Sequence, residues 1–257
     1  MVSSSPLAEP VGGPPDGPAA ATPSSLPPLV PRSLLAGPTL EAARALLGAL
    51  LVREGPGPER RIGRIVEVEA YIGIEDRACH ARFGPTRRNG VMFGPPGRAY
   101  VYRVYGMYDC LNIVTEPEGA PAAVLVRALE PLAGLTAMRR ARAALAAERH
   151  RWSAERAAAE LARVETLPVA RLASGPGLVG AVLDLDPSWS GIDLCASDSP
   201  LRLHCRPIDE PAPAVVVGRR VGVDYAGEPW RSLPWRLAVA GHPAISRPLL
   251  DPPRQSR

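Results

Sequence analysis

Two glutamates stand two residues apart in the segment RIGRIVEVEAY, at Glu67 and Glu69. Since side chains alternate along a β-strand, we expect both carboxylates on the same face of one strand. A carboxylate at a strand end, beside a loop with a histidine and several tyrosines, is suited to act as a general base. A salt bridge to Arg64 explains the pattern equally well. The residues alone therefore leave two interpretations, a catalytic base and a structural ion pair.

The stretch from residue 77 to residue 108 interleaves arginines with aromatic side chains. It contains six arginines, four of the six tyrosines of the chain, and no Asp or Glu. Arginines contact the phosphates of a nucleic acid while aromatic rings stack on its bases, so this composition suits a DNA-binding surface. The alternative is a strand with core tyrosines and solvated arginines. We predict contacts with a DNA backbone for Arg82, Arg87, Arg88, Arg98 and Arg103.

Hydrophobic periodicity predicts the elements that carry these side chains. A threonine N-cap at Thr39 precedes LEAARALLGALLV, whose leucines recur at helical spacing. From Arg61 the period changes to two, which predicts a strand. Residues 98–104 and 108–114 are β-rich runs joined by a short glycine-bearing link, which predicts a hairpin. Further elements are expected as a strand at 122–129, a helical segment at 133–165 and strands near 201–205, 215–223 and 235–239.

Composition bounds the organisation of the chain. Its 257 residues, 46% of them hydrophobic, suit one domain at 32–247 with a core of its own. Residues 1–31 are rich in Pro, Ser and Gly, so we expect a disordered arm there and a flexible tail at 248–257. The net charge of +4 fits a polyanionic partner but is also common in ordinary proteins. All 30 residues counted as Lys or Arg are arginine and none is lysine, which a genome rich in G and C codons explains best.

Other residues argue against several classes of protein. The four cysteines form no CxxC pair and no secretory signal is visible, which predicts a reduced, cytoplasmic protein, associated with the nucleoid if bacterial. No apolar run approaches the ~20 residues needed to span a bilayer, so we expect no membrane role. The histidines lack the spacing of a zinc site, and we expect neither a metal nor another cofactor.

Several longer motifs then point to one family. They are EVEAYIGIEDRACHA, TRRNGVMFGPPGRAYVYRVYGMYDCLNIV, VLVRALEPL, SGPGL and RRVGVDYAGE. In this order they resemble the alkyladenine (3-methyladenine) DNA glycosylase family, over residues 43–246. The helical segment at 135–170 is expanded and the N-terminal arm is private to this chain. The resemblance implies an α+β fold: a single mixed domain with a curved, mostly antiparallel sheet, flanking helices and a protruding β-hairpin.

The resemblance also implies which residues carry the reaction. Glu69, in the step E-A-Y, matches the general base of the family, and Arg127 matches the arginine that helps to hold the attacking water beside it. Tyr105, before Gly106, matches the side chain that intercalates into DNA from the hairpin tip, and Met107 is expected to enter the helix with it. No catalytic position is substituted, so the resemblance implies an active enzyme.

A pocket for the damaged base is implied by the same motifs. Tyr71 matches one wall of the pocket and Tyr102 a second stacking tyrosine. His80, in A-C-H, matches the pocket histidine. Ala78 matches the position whose backbone reads the edge of the purine. Asn112, in C-L-N, matches the asparagine near the 2-position of the flipped base.

The function expected from the resemblance is base excision repair of DNA. The protein would flip alkylated or deaminated purines such as 3-methyladenine out of double-stranded DNA and hydrolyse the N-glycosidic bond with a Glu-activated water. It would act as a monomer and leave an abasic site without cutting the strand. One alternative is a non-catalytic damaged-DNA or RNA binding module that uses the same basic and aromatic surface. Another is a structural protein whose tyrosine-rich hairpin is an interface.

Overall fold

One eight-stranded antiparallel sheet forms the centre of the protein in a computed structural model that describes residues 25–56 and 59–249. The strands are β1 (Leu50–Glu54), β2 (Arg60–Ile72), β3 (Ala99–Val104), β4 (Tyr108–Val114), β5 (Ala122–Ala133), β6 (Leu201–His204), β7 (Val215–Gly218) and β8 (Arg236–Val239). Their order is β3-β4-β5-β2-β1-β6, with β8 paired to both β2 and β7. The expected α+β class and the hairpin of β3 and β4 are confirmed.

Helices and short 3-10 turns flank this sheet. The helices are α1 (Arg32–Leu35), α2 (Thr39–Leu46), α3 (Leu135–His150), α4 (Ala154–Glu165) and α5 (Pro176–Leu183). The largest buried apolar cluster joins side chains of α2, α3 and α5 to those of the sheet. This packing holds the sheet against the helices. The residues of the sequence motifs come together at the other end of the sheet.

Strands β2 and β5 each carry one extra residue at neighbouring positions. The pairing shifts on either side of Glu67, which lies opposite Ala128, and this leaves Val66 of β2 and Arg127 of β5 out of the register. Beyond both positions the strands pair again in the same register as before. Because a bulge bends its strand and re-aims a side chain, this pair of bulges sets the direction of Arg127.

Helix α5 lies unusually close to β4. A Cβ atom on Gly180 would come within 1.9 Å of the carbonyl oxygen of Asp109, and one on Gly177 within 2.6 Å of the ring of Tyr108. Only glycine permits this approach at both positions, since any side chain would collide. The motif SGPGL thus brings the N-terminus of α5 against Tyr108, next to the turn of the hairpin.

The structure differs from the sequence prediction at the first helix. Helix α2 ends at Leu46, and Leu50 and Leu51 belong to β1, because Leu47 is extended and Gly48, with a φ of 89°, turns the chain towards the strand. The predicted N-cap Thr39 is wrong, since Pro38 holds that place. The hydroxyl of Thr39 instead donates to Glu116 at 2.6 Å.

The helical segment predicted at 133–165 is two helices. Arg151 adopts a φ of 50° after α3, and the hydroxyl of Ser153 then accepts the amide of Arg156 at the start of α4. This left-handed residue and the new cap separate the helices, although the composition is helical throughout.

The segment just before α1 lies along β6. The amide of Val30 donates to the carbonyl of Leu203 at 2.9 Å, and the amide of Cys205 donates to that of Pro28 at 2.8 Å. Of the arm expected at 1–31, residues 1–24 lie outside the described residues. Residues 250–257 of the expected tail do so too.

Candidate active site

A cavity of about 800 Å³ opens where the β3–β4 hairpin, the N-terminus of α5 and the loop after β7 meet. The strands bring side chains here from distant parts of the sequence, as a sheet of long-range pairings does. Most of the predicted site residues line it. They are Tyr71, Ala78, His80, Arg88, Tyr102, Arg103, Tyr105, Asn112 and Arg127.

Glu69 lies directly behind the cavity wall and is fully buried. Its Oε1 accepts the amide of Val221 at 2.7 Å, and its Oε2 accepts the hydroxyl of Tyr71 at 2.9 Å. Arg127 Nη1 lies 3.2 Å from the same Oε2. All three donors line the cavity, so the carboxylate is separated from it only by its own hydrogen-bond partners.

Glu67 anchors the other end of Arg127. Its Oε1 accepts Arg127 Nε at 2.9 Å and Arg236 Nε at 2.7 Å, and Ser246 donates both its amide and its hydroxyl to the carboxylate. Burial opposes the charge of Arg127, but the carboxylates of Glu69 and Glu67 outweigh it and raise the pKa of Arg127. A guanidinium shared by two buried carboxylates is oriented by both of them.

The alternative salt bridge to Arg64 is wrong for both glutamates. Arg64 pairs with Glu130 at 2.8 Å and with Glu210 at 2.6 Å. The two glutamates of β2 share one face, as the strand period predicted, and this face points to the interior rather than to solvent.

Three rings form one wall of the cavity. The ring centroids of His80 and Tyr102 lie 4.4 Å apart in an edge-on arrangement, and those of Tyr100 and Tyr102 lie 5.3 Å apart. His80 Nδ1 is hydrogen-bonded to the hydroxyl of Tyr100 at 2.9 Å. His80 is exposed towards the cavity, yet protein atoms surround enough of the ring that burial, followed by the charges of Arg88 and Arg82, lowers its pKa to about 4.

Tyr71 is backed by a buried ion pair. The guanidinium carbon of Arg220 lies 4.7 Å from the centre of its ring, and Arg220 makes two hydrogen bonds to Asp76, at 2.5 and 2.9 Å. Burial, and then the charge of Glu69, raise the pKa of Tyr71 well above its usual value. The phenol therefore keeps its proton and donates a hydrogen bond to Glu69.

The backbone of Ala78 is held on both sides. Its amide donates to Asp76 Oδ1 at 3.0 Å, and its carbonyl accepts the hydroxyl of Tyr225 at 3.3 Å. The side-chain amide of Asn112, which also lines the cavity, donates to the carbonyl of Tyr100 at 3.1 Å, which fixes its orientation. Both positions are thus rigid before any ligand enters.

The hairpin tip presents Tyr105 to solvent. Tyr105 and Gly106 have φ values of 52° and 71°, the left-handed conformation that tight hairpin turns require. Tyr105 is 91% exposed, whereas Met107 is half-buried beside it. A large ring at the end of a rigid hairpin has the shape of a wedge.

Comparison with known proteins settles the family. Residues 33–243 match the family model described as methylpurine-DNA glycosylase. The chain belongs to the methylpurine-DNA glycosylase family. It is a hydrolytic DNA N-glycosylase of base excision repair, and DNA is its substrate.

Similar proteins come from several kinds of organism. One from Methanocella arvoryzae, with the provisional name 3-methyladenine DNA glycosylase, is 44% identical over 221 residues, 86% of this chain and 96% of the relative. One from Myxococcus xanthus with the same provisional name is 44% identical over 219 residues, 85% and 93% of the two chains. The human DNA-3-methyladenine glycosylase is 43% identical over 210 residues, which are 81% of this chain and 65% of the human protein.

The arginines predicted to contact DNA differ in how free their charges are. Arg87 is exposed, and among the described residues its side chain has no ion pair or hydrogen bond. Arg88 lies 5.3 Å over the ring of Tyr102 and donates to the carbonyl of Arg103. The other charges are engaged in the glycosylase itself: Arg103 with Asp109, Arg98 with Asp193 and the carbonyl of Gly191, and Arg82 with the carbonyl of Arg77.

Sequence reasoning assigned no role to several residues that build the site. Val221, Arg220 and Tyr225 lie in the motif RRVGVDYAGE, and the glycines of that motif, with φ values of 74° and 67°, were a signal that its backbone makes a tight turn. Arg236 and Ser246 lie in none of the sequence motifs. Among the described residues, no group of three or more His, Cys, Asp or Glu could hold a metal ion.

None of the helices in the part of the chain that the structure describes is long and apolar enough for a membrane span.

Proposed function

We propose that this glycosylase extrudes an alkylated or deaminated purine, such as 3-methyladenine, into the cavity and hydrolyses its N-glycosidic bond with a water activated by Glu69. The observation that carries the proposal is the arrangement at Glu69. A buried carboxylate stands behind the wall of a cavity lined with aromatic rings, and its three donors all face that cavity.

For a purine alkylated at N3 or N7 the chemistry requires only one carboxylate, whereas a neutral deaminated purine must also take up a proton from solvent as it leaves. A purine alkylated at N3 or N7 is a cation and leaves with the electron pair of the N-glycosidic bond, without prior protonation. Glycoside hydrolases usually need a second carboxyl as the acid. Here the oxygen of water bonds to C1′, its proton passes to Glu69, and the carboxylate stabilises the positive sugar of the transition state.

Water must reach Oε2 of Glu69 for this step. In the structure that oxygen already accepts the hydroxyl of Tyr71 and faces Arg127. When substrate is bound, the contact of Oε2 with Tyr71 or with Arg127 opens. The guanidinium of Arg127 stays anchored on Glu67 while it turns. The guanidinium then holds the water beside the base.

Recognition of a cationic purine rests on the rings. The faces of Tyr71 and Tyr102 attract an electron-poor base, by about 1–2 kcal/mol for each desolvated contact. His80 supports this only as a neutral ring, since an imidazolium would repel the cation, and its pKa near 4 keeps it neutral at physiological pH. The guanidinium of Arg220 already covers part of the Tyr71 ring. Because it is positive, lesions that carry less positive charge are favoured at that wall.

Extrusion needs a group that fills the space left in the duplex. Unstacking costs a few kcal/mol, and an inserted side chain compensates part of it. Tyr105 has the exposure and the position to enter the helix, with Met107 behind it. Arg87 and Arg88 bind the adjacent phosphates, with smaller contributions from Arg82, Arg98 and Arg103, and the protein acts as a monomer in the cytoplasm.

Release of free base from defined duplexes tests this function. Oligonucleotides with one 3-methyladenine, 7-methylguanine, hypoxanthine or ethenoadenine are incubated with the protein, and the base is measured in solution. We expect release from at least one of them, with strand breaks only after hot alkali. Tight binding without release would instead identify a damage-binding module.

A further inference from the structure

A second aromatic feature lies beside the wall that His80, Tyr100 and Tyr102 form. Phe83 is 80% exposed and Tyr225 is 64% exposed. Between them lies Arg82, whose guanidinium carbon is 4.5 Å from the ring centre of Phe83 and 5.5 Å from that of Tyr225. We name these three residues the aromatic rim. Two exposed rings bridged by one cation form a defined surface, unlike single apolar side chains scattered over a protein.

The aromatic rim adjoins the mouth of the cavity. Phe83 ends the 3-10 turn that His80 begins, and His80 lines the cavity. Tyr225 lines the cavity too, and its hydroxyl is tied to the carbonyl of Ala78. The side chain of Asn89 donates to the carbonyls at both ends of this turn, His80 at 2.8 Å and Gly84 at 3.1 Å. The backbone under the rim is therefore braced.

The chemistry of the rim matches a nucleobase on a strand. Exposed rings stack on any base, and an arginine beside them binds a phosphate or stacks in turn. Positive charge alone does not account for binding of a strand at the rim. The exposed carboxylates Glu75 and Asp224 lie close to the rim residues in sequence and offset the charge of the arginines there. The rim is thus suited to stack on bases first and to contact phosphate second.

The rim is not needed for the extruded purine. That base has Tyr71, Tyr102 and His80 inside the cavity, so the exposed rings of Phe83 and Tyr225 remain for another part of the same strand. When one nucleotide leaves the stack, its neighbour loses a stacking partner and is easier to unstack.

We propose that the aromatic rim is a second base-binding subsite, which stacks on an unpaired base next to the extruded nucleotide and gives the protein affinity for single-stranded DNA. The placement of the strand rests on the proposed function. Binding at the rim itself requires no base release, so the two are tested separately.

Binding of undamaged DNA tests the subsite directly. Fluorescence anisotropy measures the affinity for a labelled oligothymidylate of roughly 12 nucleotides, within the range of known single-strand sites, and for a duplex of equal length. Stacking of one base contributes about 1–3 kcal/mol, so Phe83→Ala should weaken single-strand binding by about fivefold to 150-fold. Its effect on duplex binding should stay within about twofold, because the bases of a duplex are already stacked.

Matched variants separate stacking from other effects. Leu40→Ala removes an exposed leucine of α2 that does not line the cavity, and it should change neither affinity. Phe83→Leu keeps the apolar bulk but not the ring, and should weaken single-strand binding as Phe83→Ala does. Arg82→Gln should flatten the salt dependence of single-strand binding by about 0.7 in the slope of log K against log salt.

Two results on affinity would overturn the proposal, as would one on self-association. One is wild-type affinity for the oligothymidylate in both Phe83→Ala and Tyr225→Ala. The other is full retention in Phe83→Leu together with loss in Phe83→Ala, since this shows an apolar contact rather than stacking. Self-association of the full chain that disappears in Phe83→Ala, with single-strand binding unchanged, would likewise identify the rim as a protein interface.

Discussion

Replacing Glu69 with glutamine removes the proposed base while keeping its shape. The amide has one acceptor oxygen where the carboxylate has two, and both oxygens of Glu69 are in use. The oxygen of glutamine is expected to face Val221, whose amide can only donate. The NH₂ group then faces Tyr71, whose hydroxyl can turn to accept, and Arg127, which cannot.

The magnitudes follow from these partners. Loss of a hydrogen bond to a charged group costs about 1.5–3 kcal/mol, and Arg127 keeps its contact with Glu67, so we expect a loss of stability at the lower end of that range. Loss of a general base slows the reaction by about 10²–10⁴-fold, or about 2.7–5.4 kcal/mol in the barrier. The effect on rate should therefore exceed the effect on folding.

Single-turnover release of base, measured beside lesion-DNA affinity and thermal unfolding, tests this expectation. Glu67→Gln is the matched control, because it makes the same change two residues away, at a buried carboxylate whose four hydrogen bonds come from Arg127, Arg236 and Ser246 and which is proposed to anchor Arg127 rather than to activate the water. Glu67→Gln should lose at least as much folding stability as Glu69→Gln, but its rate of base release should fall less. Release by Glu69→Gln within about tenfold of wild type, or about 1.4 kcal/mol, would refute the role of Glu69.

Four further outcomes are expected. Tyr105→Ala should leave the melting temperature unchanged, since the ring is 91% exposed, and should impair release of well-paired lesions more than of mispaired ones; equal losses would contradict a wedge. Arg87→Ala should flatten the slope of log K against log salt for duplex binding by about 0.9, whereas Arg103→Ala, whose charge is paired with Asp109, should chiefly lower stability. In an NMR titration the ring of His80 should stay neutral until the pH approaches about 4. In the unfolded chain the same ring binds its proton near 6.5, so the stability that this residue contributes is lost as the pH falls from 6.5 towards 4. His80→Gln should make the stability depend less on pH in this range. Borohydride during turnover should trap no covalent adduct, since the chain has no lysine to form a Schiff base; an adduct in good yield would disprove hydrolysis by water.

The parts of the fold that the sequence predicted are those with local signals. Alternating residues define β2, and the glycine between β3 and β4 marks the hairpin, so these elements were found with nearly correct bounds. The leucines after Leu46 fit a helix and a buried strand equally well, and only the backbone at Gly48 decides between them. Burial on both faces removes the periodicity that would distinguish the two.

The site shows the same division between local and distant information. The motif around Glu69 is contiguous, and its resemblance to a family names the residue. Its partner Val221 contributes only a backbone amide, which leaves no trace in the residue type, and it lies 152 residues away in sequence. The pairs Asp76–Arg220 and Glu67–Arg236 join charges that look solvated in the sequence, because pattern alone does not show which carboxylate meets which guanidinium.

The matched bulges at Val66 and Arg127 constrain how such a chain can change in length. A strand that gains or loses one residue turns every later side chain to the opposite face. Deleting Val66 alone would therefore rotate either the first half of β2 or the half with Glu69 out of the interior. The two strands are encoded in separate parts of the gene, so the gain or loss of a codon at one bulge has to be matched by the same change at the other. The lengths of β2 and β5 are therefore coupled.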